Sequence, residues 1–85
     1  MRLRTESLTW QEIDGELVIL DLSGSAYLTT NGSGAFLAKL LTVDREEDEL
    51  AAALATEYEL SAANATADTR AFIDQLKEKK LLVTD

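Results

Sequence analysis

The side chains available for chemistry in this chain are carboxylates, hydroxyls and a few amines: 16 Asp and Glu, 8 Lys and Arg, and neither His nor Cys. Without imidazole or thiol it lacks the usual zinc ligands, the commonest general base and the thiol nucleophile. No spacing among the remaining groups marks a catalytic or metal site. Gly32-Ser33-Gly34, at a predicted helix start, has the small residues of a phosphate cradle, yet the Lys and the spacing of a P-loop are missing. Turn and cap geometry accounts for those glycines. The expectation is a protein that is not an enzyme and uses no cofactor and no metal.

Charge narrows the partners. A net charge of −8 opposes nucleic acid, whose affinity for proteins comes mainly from Lys and Arg neutralising phosphates. It equally opposes anionic membranes and favours a partner carrying some basic groups. No apolar run approaches the roughly 20 residues that span a bilayer, and Met-Arg-Leu-Arg-Thr-Glu is no signal peptide. The absence of cysteine fits the cytosol, so a cytoplasmic protein is expected. At 85 residues and 46% hydrophobic, the chain is read as one domain, residues 1–85, with a core over about 8–83.

With side-chain chemistry so limited, the backbone becomes the recognition element. Leu8 to Ile13 alternates as a strand, with Leu8 and Trp10 on one face and Thr9 and Gln11 on the other. Asp14-Gly15 is the dipeptide of a two-residue type I′ hairpin, in which both central residues need φ > 0. Glu16 to Leu22 is nearly all apolar, as in a strand covered on both faces. Ser23-Gly24 makes the next turn and Ser25 to Thr30 is a third strand, outermost in an antiparallel meander. That strand has no charge and no proline, the residues that normally blunt an edge. Asp21-Leu22-Ser23 lacks the Asp-Ser-Leu order, and the helix start, that a carrier-protein serine requires.

The remaining two thirds read as helices. Asn31 caps a first helix to about Leu41, with Phe36, Leu37, Leu40 and Leu41 as its apolar stripe. Asp44 and Glu47 resemble a capping box for a second helix to about Tyr58, striped by Leu50, Leu54 and Tyr58. The acidic run Asp44 to Glu49 is a first turn favourable to the helix dipole. Ser61 caps a third helix to about Lys79, with Phe72, Ile73 and Leu76 as core and Ala65 and Thr69 extending the stripe. Lys77, Lys79 and Lys80 suit its last turn. Leu81-Leu82-Val83 returns apolar surface to the core. The fold class is α+β, a three-stranded antiparallel β-sheet followed by a three-helix bundle.

This β-β-β-α-α-α order is carried by Leu20-Asp21-Leu22, Tyr27-Leu28, Asn31-x-x-Gly34, the run Asp48 to Leu54 with Tyr58, Phe72-Ile73-x-x-Leu76 and Leu81-Leu82. The pattern resembles the PqqD-like proteins, or RiPP precursor peptide recognition elements, and more narrowly the stand-alone versions of lasso peptide biosynthesis. The resemblance implies a winged-helix-like fold and a non-catalytic role. It implies binding of a precursor leader peptide as a fourth strand beside the third, over a groove walled by the third helix. It further implies delivery to a cysteine-protease-like leader peptidase and to an ATP-dependent cyclase.

Carried onto this chain, the resemblance places the peptide-binding edge at Ser25, Ala26, Tyr27, Leu28, Thr29 and Thr30. Which of Tyr27 and Leu28 faces the groove is left open. The wall falls on Asp68, Ala71, Gln75 and Lys79, at i, i+3, i+7 and i+11, with Phe72 and Leu76 between core and groove floor. Two positions depart from the pattern. Thr30 stands where relatives often carry Leu, so the strand end is expected to be less buried. Lys80 stands where Gly usually ends the third helix, and a Lys in left-handed geometry costs about 1 kcal/mol. Two other readings remain beside a monomeric adaptor: a winged-helix DNA-binding regulator, and a homodimer, weak or stable, pairing through the same edge.

Overall fold

Asp14 and Gly15 both take positive φ, 51° and 82°. This closes the type I′ hairpin expected from their identities, because its twist matches that of the flanking strands. The structure, a computed structural model, describes residues 1–24 and 26–84 and gives no side chain for Asn31. The hairpin joins β2 (Leu8–Ile13) to β3 (Glu16–Asp21), and β4 (Tyr27–Asn31) completes a sheet ordered β2-β3-β4. Two shorter strands, β1 (Arg2–Leu3) and β5 (Leu82–Val83), pair antiparallel as a separate ribbon. Two residues are too few to show an alternating pattern, so nothing in the sequence announces them.

The register aligns Trp10, Ile19 and Leu28 in one row, and Glu12, Leu17 and Thr30 in the next. Leu17, Ile19 and Leu28 are buried from that face by the helices. The opposite face, with Val18, Leu20 and Tyr27, is open: Leu20 is 42% and Tyr27 61% exposed. The middle strand is therefore covered on one face, against the expectation of two. Its apolar run exceeds what this sheet buries, and Leu22 lies beyond the strand end.

A turn built by Asp21 follows β3. The Ser23 amide and hydroxyl and the Gly24 amide donate to Asp21 Oδ1 at 3.1, 2.8 and 3.3 Å. Arg4 Nη2 meets the other oxygen at 2.7 Å. These donors hold the Asp21 carboxyl at about 2, with Arg4 the largest cause. The turn runs further than expected, so the strand begins at Tyr27. Ala26 precedes it and accepts from the Asp21 amide.

Helix α1 (Gly32–Leu40) starts directly from β4, and Gly32 takes φ 50° where the chain changes direction. Asn31, expected to cap it, has its side chain outside the described residues. Helix α2 (Glu47–Tyr58) has its capping box at Glu46 and Glu49, two residues later than expected. Segment 44–45 is held elsewhere: Met1 and Arg45 exchange backbone hydrogen bonds, and the terminal ammonium lies 3.6 Å from Asp44. Tyr58 packs edge-on against Phe36, ring centroids 5.8 Å apart.

Helix α3 (Ala62–Glu78) begins as expected, Ser61 Oγ accepting from the Asn64 amide at 3.1 Å. It buries Ala65, Thr69, Phe72, Ile73 and Leu76. Its end uses Lys80 at φ 59°, so the left-handed residue is present despite lacking glycine. The Lys80 and Leu81 amides donate back to Lys77 and Leu76, and Leu81 is fully buried. Burial of Leu81 against the core offsets the strain at Lys80.

Candidate functional site

The hairpin fixes which backbone groups of β4 are free. In a two-residue hairpin the flanking pair, Ile13 and Glu16, exchanges hydrogen bonds, so Glu16, Val18 and Leu20 point their polar groups toward β2. Leu17, Ile19 and Asp21 then point toward β4, as the Asp21 amide to Ala26 carbonyl bond of 3.0 Å shows. Their partners Leu28 and Thr30 face inward along the ladder. Tyr27 and Thr29 therefore turn their N–H and C=O groups to the free edge. This alternation was not drawn from the sequence because it depends on the phase of the hydrogen-bond ladder.

Beside that edge lies a groove of about 380 Å³. Thr30 contributes from β4, Ser33, Gly34 and Leu37 from α1, and Asp68, Ala71, Phe72 and Gln75 from α3. Helical periodicity puts the four α3 residues on one flank, because positions three, four and seven apart share a face. Phe72 is mostly buried and forms floor, whereas Asp68, Ala71 and Gln75 are exposed. Gly34 is the tightest point. A Cβ there would overlap the Thr30 hydroxyl and approach Phe72 Cε1 to 3.4 Å.

The structure thus brings together Thr30, Asp68, Ala71, Phe72 and Gln75. Leu28 shares their face of the sheet but is buried in the core, while Tyr27 projects from the opposite face; neither side chain lines the groove. Thr29 offers backbone to the edge, and its side chain lies on the outer face with Tyr27. Leu76 is 0% exposed and belongs wholly to the core, which corrects its expected place at the groove floor. Lys79 lies one turn beyond Gln75 at the helix cap, half-buried and outside the lining. Ala26 precedes the strand, and Ser25 lies outside the described residues. Thr30 is half-buried, in keeping with the expectation for that position. Ser33, Gly34 and Leu37 were missed as lining residues; the spacing Asn31-x-x-Gly34 was their only trace.

The opposite edge has a concavity of its own, about 330 Å³, between β1 and β2 and lined by Leu3, Leu8, Trp10 and Ile19 among others. Nearby, Lys39 of α1 pairs with Glu12 of β2 at 2.6 Å, tying the helix to that edge. No such tie spans the β4 groove among the described residues. Nor do they contain a group of three or more His, Cys, Asp or Glu placed to hold a metal. No described helix is long and apolar enough to cross a membrane.

The family model described as coenzyme PQQ synthesis protein D (PqqD) matches residues 16–82, from the start of β3 into β5. The chain belongs to the PqqD family. The resemblance read from its β-β-β-α-α-α pattern is thereby borne out. Among solved structures, this PqqD-family chain is similar to one described as TbiB1 in complex with the TbiA(β) leader peptide. Identity is 26%, the TM-score 0.85, and all of both chains is covered. It is also similar to lasso peptide synthetase B1 complexed with the leader peptide, at 26% identity and a TM-score of 0.82. That match covers 98% of this chain and 96% of the other. No match was found among curated proteins.

Proposed function

We propose that this PqqD-family chain binds the leader segment of a ribosomally made precursor peptide, adding it as a strand on the free edge of β4. The observation that carries the reading is the placement of the outward-facing backbone of Tyr27 and Thr29 beside the groove walled by α1 and α3. Main-chain pairing supplies affinity and register in strand addition, and pockets for alternate side chains supply selectivity. The two similar structures, each described with a leader peptide, support this choice of guest. The β2 edge is the poorer candidate, because the Lys39–Glu12 pair bridges it to α1.

The pathway that fits is lasso peptide maturation. The bound leader would be delivered to a leader peptidase and to an ATP-dependent cyclase, with this chain acting by raising effective concentration. It contributes binding and no catalysis. Fluorescence anisotropy with the labelled cognate leader tests the reading. Saturable binding to the wild type and its loss in a folded Thr29→Pro variant is the expected result; equal affinity in both refutes strand addition at this edge.

The free, uncharged edge also suits self-pairing, which makes a homodimer the second reading. Light scattering separates the two. A monomer, or a dimer that the leader dissociates, supports the adaptor, and a dimer that the leader leaves intact supports self-pairing.

A further inference from the structure

The groove flank of α3 is electrically polar along its length. Asp68 lies at one end, Ala71, Phe72 and Gln75 form a neutral middle, and Lys79, at the helix cap one turn past the groove lining, follows with Lys77 and Lys80 close to it in sequence. Asp68, Gln75 and Lys79 recur at spacings of seven and four and so keep one face. None of Asp68, Lys77, Lys79 and Lys80 sits in an ion pair among the described residues; the pairs there are Met1–Asp44, Arg4–Asp21, Lys39–Glu12 and Arg70–Glu47. Among the described residues five of the eight lysines and arginines thus form no ion pair, and three of those are concentrated at the C-terminal end of α3 in a chain of net charge −8.

Geometry converts this polarity into a spacing. Asp68 and Lys79 are eleven residues apart, roughly 16 Å along a helix rising about 1.5 Å per residue. A paired guest strand advances roughly 3.3 Å per residue, so this distance corresponds to about five residues. Side chains on the helix-facing side of the guest recur every second residue. The charges they present to α3 must therefore be an even number apart, and four or six are the spacings nearest to the span.

We infer that the groove selects charge as well as shape: it takes an extended peptide with a basic side chain over Asp68 and an acidic one, four or six residues away, over Lys79. The inference rests on the strand-addition reading above. Which charge comes first in the peptide reports the direction of the guest strand.

A display library of random twelve-residue peptides, selected at low salt on the wild type and on an Asp68→Lys/Lys79→Glu variant, tests it. Wild-type binders should be enriched in Lys or Arg and Asp or Glu at a spacing of four or six in one fixed order, and the variant should enrich the inverted order. A peptide selected on the wild type should weaken roughly fivefold for each single reversal, the scale of exposed ion pairs, and less so at high salt. Asp68 is exposed and Lys79 half-buried at the helix cap, neither is in an ion pair among the described residues, and a retained cooperative thermal transition checks that the variants fold. Binders that require the Thr29 edge but show no charge spacing overturn the inference and leave strand addition standing. Binders indifferent to Thr29→Pro, or the recovery of none, overturn both.

Discussion

Leu28 and Thr29 are neighbours with opposite roles. Leu28 is 3% exposed and bonds along the ladder to β3, so proline there breaks the sheet and disturbs the core together. Thr29 is exposed and its amide faces outward, so proline removes only the donor offered to a guest. Leu28→Pro is accordingly expected to unfold the chain, and Thr29→Pro to leave a cooperative thermal transition while abolishing leader binding. Calorimetry beside anisotropy distinguishes them.

Gly34 has a comparable role on α1. An added methyl meets the Thr30 hydroxyl, and overpacking of this kind costs about 1–3 kcal/mol, partly offset by the better helix propensity of Ala. Gly34→Ala should lower stability and narrow the groove, and Thr30→Ala in the same chain should recover part of the loss in urea unfolding.

Asp21 gives a pH signature. Its carboxyl is held at about 2 in the folded chain, below the ordinary 3.8. The unfolded chain therefore binds the proton first as pH falls, and stability is lost between about 4 and 2. Asp21→Asn should flatten that part of the stability profile by lowering stability near neutrality, where the Arg4 pair is fully formed, while leaving it nearly unchanged below about pH 2. An unchanged profile would show that the Arg4 pair is not formed in solution.

At the scale of elements, the helix ends make the clearest case. Lys80 adopts the left-handed residue's geometry, so Lys80→Gly should raise stability by about 1 kcal/mol in urea unfolding. Most elements were legible because their signals are local: Asp14-Gly15 specifies its hairpin, Ser61 caps α3, and Phe72, Ile73 and Leu76 set its buried stripe. The start of α2 was misread because Asp44 and Arg45 are engaged by Met1, 43 and 44 residues away, so the cap passes to Glu46. Strands β1 and β5 were invisible for the same reason, since each exists only by pairing with the far end of the chain.

At the scale of the molecule, the sheet shows the helices one face and leaves two edges and a partly apolar outer face free. The α3 wall of the candidate groove was legible because helical spacing groups Asp68, Ala71 and Gln75. The α1 contribution was not, because the approach of Gly34 to Thr30 is tertiary. Nor could the sequence alone say that Tyr27 faces away from the groove, since one residue of register reverses the faces. Family membership and structural relatives described with leader peptides support the choice of guest proposed for the edge that the ladder leaves open.

The most direct test of that edge is amide hydrogen exchange by NMR, residue by residue, with and without the cognate leader. Leu28 and Thr30, bonded within the sheet, should be protected in both states. Tyr27 and Thr29 should exchange rapidly in the free chain and slow markedly once the leader saturates it. Saturable binding with Tyr27 and Thr29 still exchanging at their free rates would contradict strand addition on β4.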